Sequence, residues 1–377
     1  MMELLLYLYI LIVVYLFLKY SRIRTLYIFS PYILIYLNFI FNDAIPFLFF
    51  YPDVPENIQY TTFTAAIINL SFLFLFRKQA QVPISINLPL SSIKLNKKRK
   101  ILLSCFVFFL LWAGVMSGVL INLLRGNNIE DLRRTSEIGV GVIRDIPMLG
   151  IQIIMLVLFL QKTWKCYYKV VAFYSFCLSV FLFLTTGNKG GVLVGVTLFL
   201  LFFHLKKRGF KWYEYVLYYL AMPLAAGTLQ GIRGGDLTLI ASQIAVFFSY
   251  PVILYQANSI PIMNAVGTEN FFWGEEYYTG LVKFIPRFLW PDKPLSFDYK
   301  LKELANYDFE GGGIYTTLCN DLYINFGYYY FIFYILWLLF IHYLYGMVMD
   351  DKRFYYSRII ALFIILMGGD CIYYWLL

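Results

Sequence analysis

The eleven residues from Phe284 to Pro294, FIPRFLWPDKP, bring three prolines, an arginine, an aspartate, a lysine and a tryptophan into a chain that is otherwise mostly apolar. Pro286, Pro291 and Pro294 fix the backbone and remove donors, so the residues between them are held stiffly. The planar fork of Arg287 suits two-point binding of phosphate oxygens. Lys293 adds a second cation, and Asp292 adds a carboxylate able to act as a base. The rings of Phe288 and Trp290 can rest on lipid or stack on a sugar. The alternative reading is a turn anchored at a membrane interface by Trp290.

Three other stretches pair cations with glycine. TTGNKGG, Thr185 to Gly191, carries Asn188 and Lys189 between two short apolar runs of 17 and 16 residues. As helices these reach only about 24–26 Å, less than the roughly 30 Å bilayer core, so the turn should sit in a wet recess below the surface. Glycines there let backbone N–H groups approach an anion. A tight hairpin with a snorkelling lysine is the alternative. QGIRGGD, Gln230 to Asp236, brackets Arg233 with Gly231, Gly234 and Gly235. Arg144 stands beside Asp145, either as a ligand contact or as a self-contained ion pair. Asp370 follows two glycines in the last apolar run. Together these describe a basic, glycine-flanked site for phosphate oxygens. Asp236, Glu275, Glu276, Asp292 and Asp321 are the candidate bases.

The elements that must hold these residues follow from composition. Of 377 residues, 61% are hydrophobic and 14% charged, with mean hydropathy +0.68. Apolar runs recur at 2–18, 26–41, 60–76, 101–123, 140–160, 170–186, 190–205, 213–230, 327–347 and 359–377, near the length of a bilayer crossing. The chain therefore reads as one all-α polytopic membrane domain, 1–377, of about ten transmembrane helices. No basic residues precede the first run and no small-residue cleavage site follows it, so no cleavable signal is expected. The connections after odd-numbered spans hold 20 of the 31 Lys and Arg, including Lys97 and Lys207. The positive-inside rule makes these connections cytoplasmic and turns both termini outward. The longest outer connection is 231–326, and its apolar piece 237–255 reads as interfacial or re-entrant.

Composition also excludes. The net charge of +9 is a topology signal, and no nucleic-acid motif accompanies it. Five cysteines without CxxC spacing and only two histidines, His204 and His342, give no metal-ligand pattern. No metal and no cofactor are expected.

PRFLWPDKP, followed by Thr316–Thr317 and by NDLYINFGYYY from Asn320, resembles the Wzy-type polymerases of O-antigen and other oligosaccharide repeat units. The likeness in organisation extends over nearly the whole chain: ten to twelve spans, one large extracytoplasmic loop near the C-terminus, and basic cytoplasmic turns. It implies a GT-C-like architecture in a bacterial inner membrane, with the active face outward. It also implies a reaction. A glycan carried on undecaprenyl diphosphate moves onto the non-reducing end of a new lipid-linked unit, and undecaprenyl diphosphate leaves. Arg287, Arg233 and Asp292 would then be catalytic, with Lys189, Asn188, Lys293, Trp290, Asp321 and Arg144 on the substrate. The resemblance further implies lipid-linked oligosaccharide as both donor and acceptor, and a chain-length regulator protein as a partner. O-antigen ligases share the donor but carry a histidine in the outer loop, where this chain has none. A lipid-linked oligosaccharide flippase is the non-enzymatic rival.

Overall fold

A computed structural model describes residues 2–21, 35–36, 38–80, 252–282, 297–307 and 316–349, with 102, 104–106, 109, 170, 174, 228, 249, 285, 289–290 and 292–294. The chain forms two compact units, one of 1–85, 210–212 and 248–375 and the other of 86–209, 213–247 and 376–377. Nearly all the described residues belong to the first, and every described element is helical.

That unit begins with α1 (Met2–Ser21). Helical residues from 35 onward lead through a π turn, Ile40–Ala44, into α2 (Ile45–Phe50). After Pro55 comes α3 (Glu56–Ala80), whose Glu56 complements the positive helix N-terminus. Residues 252–307 supply a second π turn, Tyr255–Ser259, then α4 (Ile260–Val266), α5 (Glu275–Val282) and α6 (Phe297–Leu304). Last come α7 (Leu318–Phe326), a 3₁₀ turn at Gly327–Tyr329, and α8 (Tyr330–Met349).

Two stretches are long and apolar enough to cross a membrane: Glu56–Phe76, of 21 residues, and Leu318–Leu344, of 27. The second begins nine residues before the expected start at 327, because Thr317 caps α7 by accepting the Asn320 N–H. Asp321 and Asn325 are therefore helical rather than part of a loop. The helix of the second expected span likewise runs on past 41 to Phe50. The first expected span, 2–18, lies within α1, while the other six, apart from a few residues in 101–123, 170–186 and 213–230, and most of 237–255 lie outside the described residues.

α3 and α8 pack parallel. The Tyr330 hydroxyl donates to the Thr61 carbonyl at 2.7 Å, and the Tyr334 hydroxyl to Asn69 Oδ1 at 2.9 Å. Further along in the same direction, the rings of Phe76 and His342 lie 4.0 Å apart. Parallel helices need a long connection between them, which the 237 residues between Ala80 and Leu318 provide.

Both π turns have one cause. Pro46 and Pro261 have no N–H, and their rings would strike the carbonyl four residues back. Widening the helix by one residue relieves this. Ile45 N–H reaches back to the Ile40 carbonyl, and Ile260 N–H to that of Tyr255. The Ala257 carbonyl, which Pro261 cannot serve, accepts the Tyr307 hydroxyl instead.

Candidate functional site

Among the residues singled out in the sequence, Arg287, Arg233, Lys189, Asn188 and Arg144 lie outside the described residues, as do Asp236 and Asp370. Trp290, Asp292, Lys293 and Asp321 are described.

The proline-rich segment closes on itself. Lys293 Nζ donates to the Ile285 carbonyl at 2.9 Å, and the Lys293 N–H to the Trp290 carbonyl at 3.2 Å. Residues 285 and 293 are thereby tied together, with Arg287 between them in sequence. Leu289 and Asp292 are exposed and Trp290 is half-buried, so the turn offers an apolar rim and a carboxylate to its surroundings. Lys293, expected on substrate, uses its ammonium to lock this turn.

Two of the candidate bases are engaged elsewhere. Glu275 pairs with Lys300, joining α5 to α6. Glu276 accepts from Asn325 Nδ2 at 2.6 Å, and its own N–H reaches Asn325 Oδ1 at 3.4 Å. Asp321 sits half-buried in the first turn of α7, where a carboxylate suits the helix dipole. Its carbonyl accepts the Asn325 amide at 2.9 Å. The polar side chains of NDLYINFGYYY thus hold α4 and α5 to α7. Tyr323 and Asn57 complete this seam by donating to the Gly267 carbonyl, and Asn57 also caps the Met263 carbonyl at 2.6 Å.

A buried polar cluster lies at residues the sequence reading passed over. Asn38, Asn42 and Asp43 line one helix face at the first π turn, and the Asn42 amide donates to Asn38 Oδ1. Asp43 follows the second expected span and is 4% exposed. Burial raises its carboxyl to about 7, against the pull of a hydrogen bond from Thr317. Its Oδ1 has no hydrogen bond, and no described Lys, Arg or His pairs with it. With Asn38, Cys319, Tyr334 and Trp337 it lines a narrow cleft.

The hydroxyls of Tyr9, Thr62, Tyr255 and Ser259 and the amide nitrogens of Asn69 and Asn320 are also buried without a hydrogen bond among the described residues. Burial also holds the Tyr255 phenol well above its usual value. A sequence signal for this cluster exists. NDAIP (Asn42–Pro46) and NSIP (Asn258–Pro261) both set polar residues just ahead of an Ile-Pro pair within an apolar run.

These features define an all-helical unit with two helices able to cross a membrane, a self-closed basic turn and a buried polar cluster. Comparison with family models, curated proteins and solved structures finds no match to the chain.

Proposed function

We propose that this chain is a polymerase of undecaprenyl-diphosphate-linked oligosaccharide repeat units in a bacterial inner membrane, spanning it about ten times in a GT-C-like arrangement. The observation that carries the reading is the turn PRFLWPDKP, stiffened by three prolines and closed by Lys293 on the Ile285 carbonyl. A turn of this kind suits a membrane-embedded diphosphate leaving group. Arg287 would stabilise the negative charge that develops as the lipid diphosphate departs, as preorganised cations do in transfer reactions. Lys189 and Arg233 would add positive charge, and Trp290 would sit at the lipid interface or against a sugar. Asp292 is the exposed carboxylate nearest Arg287 in sequence and is the base this reading favours for the acceptor hydroxyl. The outer segment suits a fixed wall of such a site, since Asn57, Tyr323 and Asn325 tie it to α3 and α7.

Deleting the gene and separating the surface glycan by gel electrophoresis tests the reading. Glycan capped with a single repeat unit is the expected result. Full-length chains stranded on lipid carrier would instead indicate a ligase. Loss of all surface glycan would indicate a flippase.

A further inference from the structure

Helix α5 is polar on its protein side and apolar on its exposed side. Tyr277, Tyr278 and Leu281 fall within one arc of about 100° on the helix. All three are exposed, Leu281 at 77%. Glu275, Glu276 and Thr279 fall on the opposite arc and turn towards protein. Glu275 pairs with Lys300, Glu276 bonds to Asn325, and Thr279 is buried. A surface helix in water has the reverse arrangement, with its apolar stripe on the core. The apolar surface also continues past both ends of α5, through exposed Trp273 before it and exposed Ile285 and Leu289 after it. Contiguous exposed apolar surface marks contact with a membrane or a partner.

Two observations choose the membrane. The first is that ring stacking carries this face onto α8. The Tyr277 ring stacks on Phe326 at 5.8 Å, and Phe326 stacks on Phe333 at 3.6 Å. Phe333 belongs to the exposed side of α8 with Ile332, Leu336, Leu339 and Phe340, the apolar side that a spanning helix turns to lipid. Trp273 and Tyr328, both exposed, likewise pack on one ring, that of Phe271. The second observation is depth. The 27 residues Leu318–Leu344 make roughly 40 Å of helix, about 10 Å more than a bilayer core. Their amide and carboxylate residues, Asn320, Asp321 and Asn325, all stand at the N-terminal end, so the overhang is there. Asn325, two turns in, is the residue that holds Glu276. This fixes α5 at the edge of the core, the level at which Trp and Tyr gather in membrane proteins.

We propose that α5 is an in-plane membrane helix, with Tyr277, Tyr278 and Leu281, and Trp273, Ile285 and Leu289 beside them, seated among the acyl chains of the leaflet in which α3 and α8 begin. The inference needs those two helices to cross a membrane and does not rest on the polymerase reading. A helix seated in this way sinks about 5–10 Å into the boundary between headgroups and acyl chains. Glu275 and Glu276 reach that depth already partnered, by Lys300 and Asn325, so neither is desolvated unpaired. The turn that Lys293 closes on Ile285 follows α5 directly and is then held at headgroup level.

The test uses the unaltered full chain in phosphatidylcholine vesicles that contain a phosphatidylcholine with a photoreactive diazirine on its acyl chain. After irradiation, lipid adducts are mapped by mass spectrometry. Tyr277, Tyr278 and Leu281 should carry adducts within a few-fold of the yield on the exposed side of α8, and the exposed Glu303 of α6 should carry none. Adducts on α8 with none on residues 273–289 overturn the proposal. Hydroxyl-radical footprinting of the same vesicles then names the true occupant. Strong oxidation of Tyr277 and Tyr278 means water, and protection without lipid adducts means a second copy of the chain or another protein surface. Adducts on neither α5 nor α8 also overturn it, since the helix it leans on would not be in lipid.

Discussion

Arg287 and Asn325 show how differently two polar residues in quoted motifs can be employed. Asn325 makes three hydrogen bonds, two with Glu276 that join α5 to α7 and one to the Asp321 carbonyl within α7. Its contribution is architectural, and any effect of losing it should appear first as instability. Arg287 falls in sequence within a segment stiffened by proline and closed by Lys293 on Ile285, so removing its guanidinium should leave protein levels unchanged. If it grips a departing diphosphate, Arg287→Ala should slow polymerisation by roughly 100- to 1,000-fold. Arg287→Lys should also be impaired, because charge is kept while the two-point fork is lost. Arg125→Ala, in a sequence stretch of mixed charge with Glu130, Asp131, Arg133 and Arg134, is the control and should leave long chains intact. Chain-length distributions on gels, read beside membrane protein levels, check this. Full-length polymer from a normally expressed Arg287→Ala would reduce the turn to an interfacial anchor.

At the scale of elements, the junction between α7 and α8 depends on Gly327. Its φ of +56° is one that side-chain-bearing residues rarely adopt, and a Cβ there would lie 2.6 Å from the Phe271 ring. That ring cannot easily move, since it is edge-packed against Trp273, Tyr323 and Tyr328. Left-handed strain and overpacking each cost on the order of 1–3 kcal/mol, so Gly327→Ala should destabilise by about 2–4 kcal/mol. Gly346→Ala, within α8 and with nothing within 4 Å of the added carbon, should be neutral or slightly stabilising. Thermal unfolding of both variants in nanodiscs distinguishes them. Equal Tm values would mean that the Phe271 cluster yields easily and does not hold the outer segment in place.

For the whole molecule, the parallel packing of α3 and α8 carries a topological consequence. Their N-terminal ends, near Glu56 and Tyr329, must face the same side of any membrane they both cross. Charge asymmetry in the sequence predicts that side to be the outer one, with Lys97 and Lys207 inside. In a background without the five native cysteines, single cysteines at 56 and 329 should react with an impermeant thiol reagent added from outside. Cysteines at 97 and 207 should react only after permeabilisation. External labelling at 97 would invert the orientation, and with it the face assigned to Arg287.

Some of this was legible from the chain alone. Helical elements at 2–21, 56–80 and 330–349 follow from apolar runs close to bilayer length, because in such runs each backbone polar group is best satisfied within its own helix. The stiffness of PRFLWPDKP is likewise a local property, set by proline's fixed φ. The ends of the apolar segments were less legible: α7 starts at Leu318 because the Thr317 cap, not hydropathy, decides where a helix begins. The buried cluster around Asp43 was least legible. Single polar residues in an apolar run look alike whether they face lipid, water or one another. Only packing buries Asp43, Tyr9, Thr62 and Tyr255, far apart in the chain, and only burial raises the Asp43 carboxyl to about 7. Sequence determines what each helix can do by itself, while long-range contacts decide which polar groups lose water together.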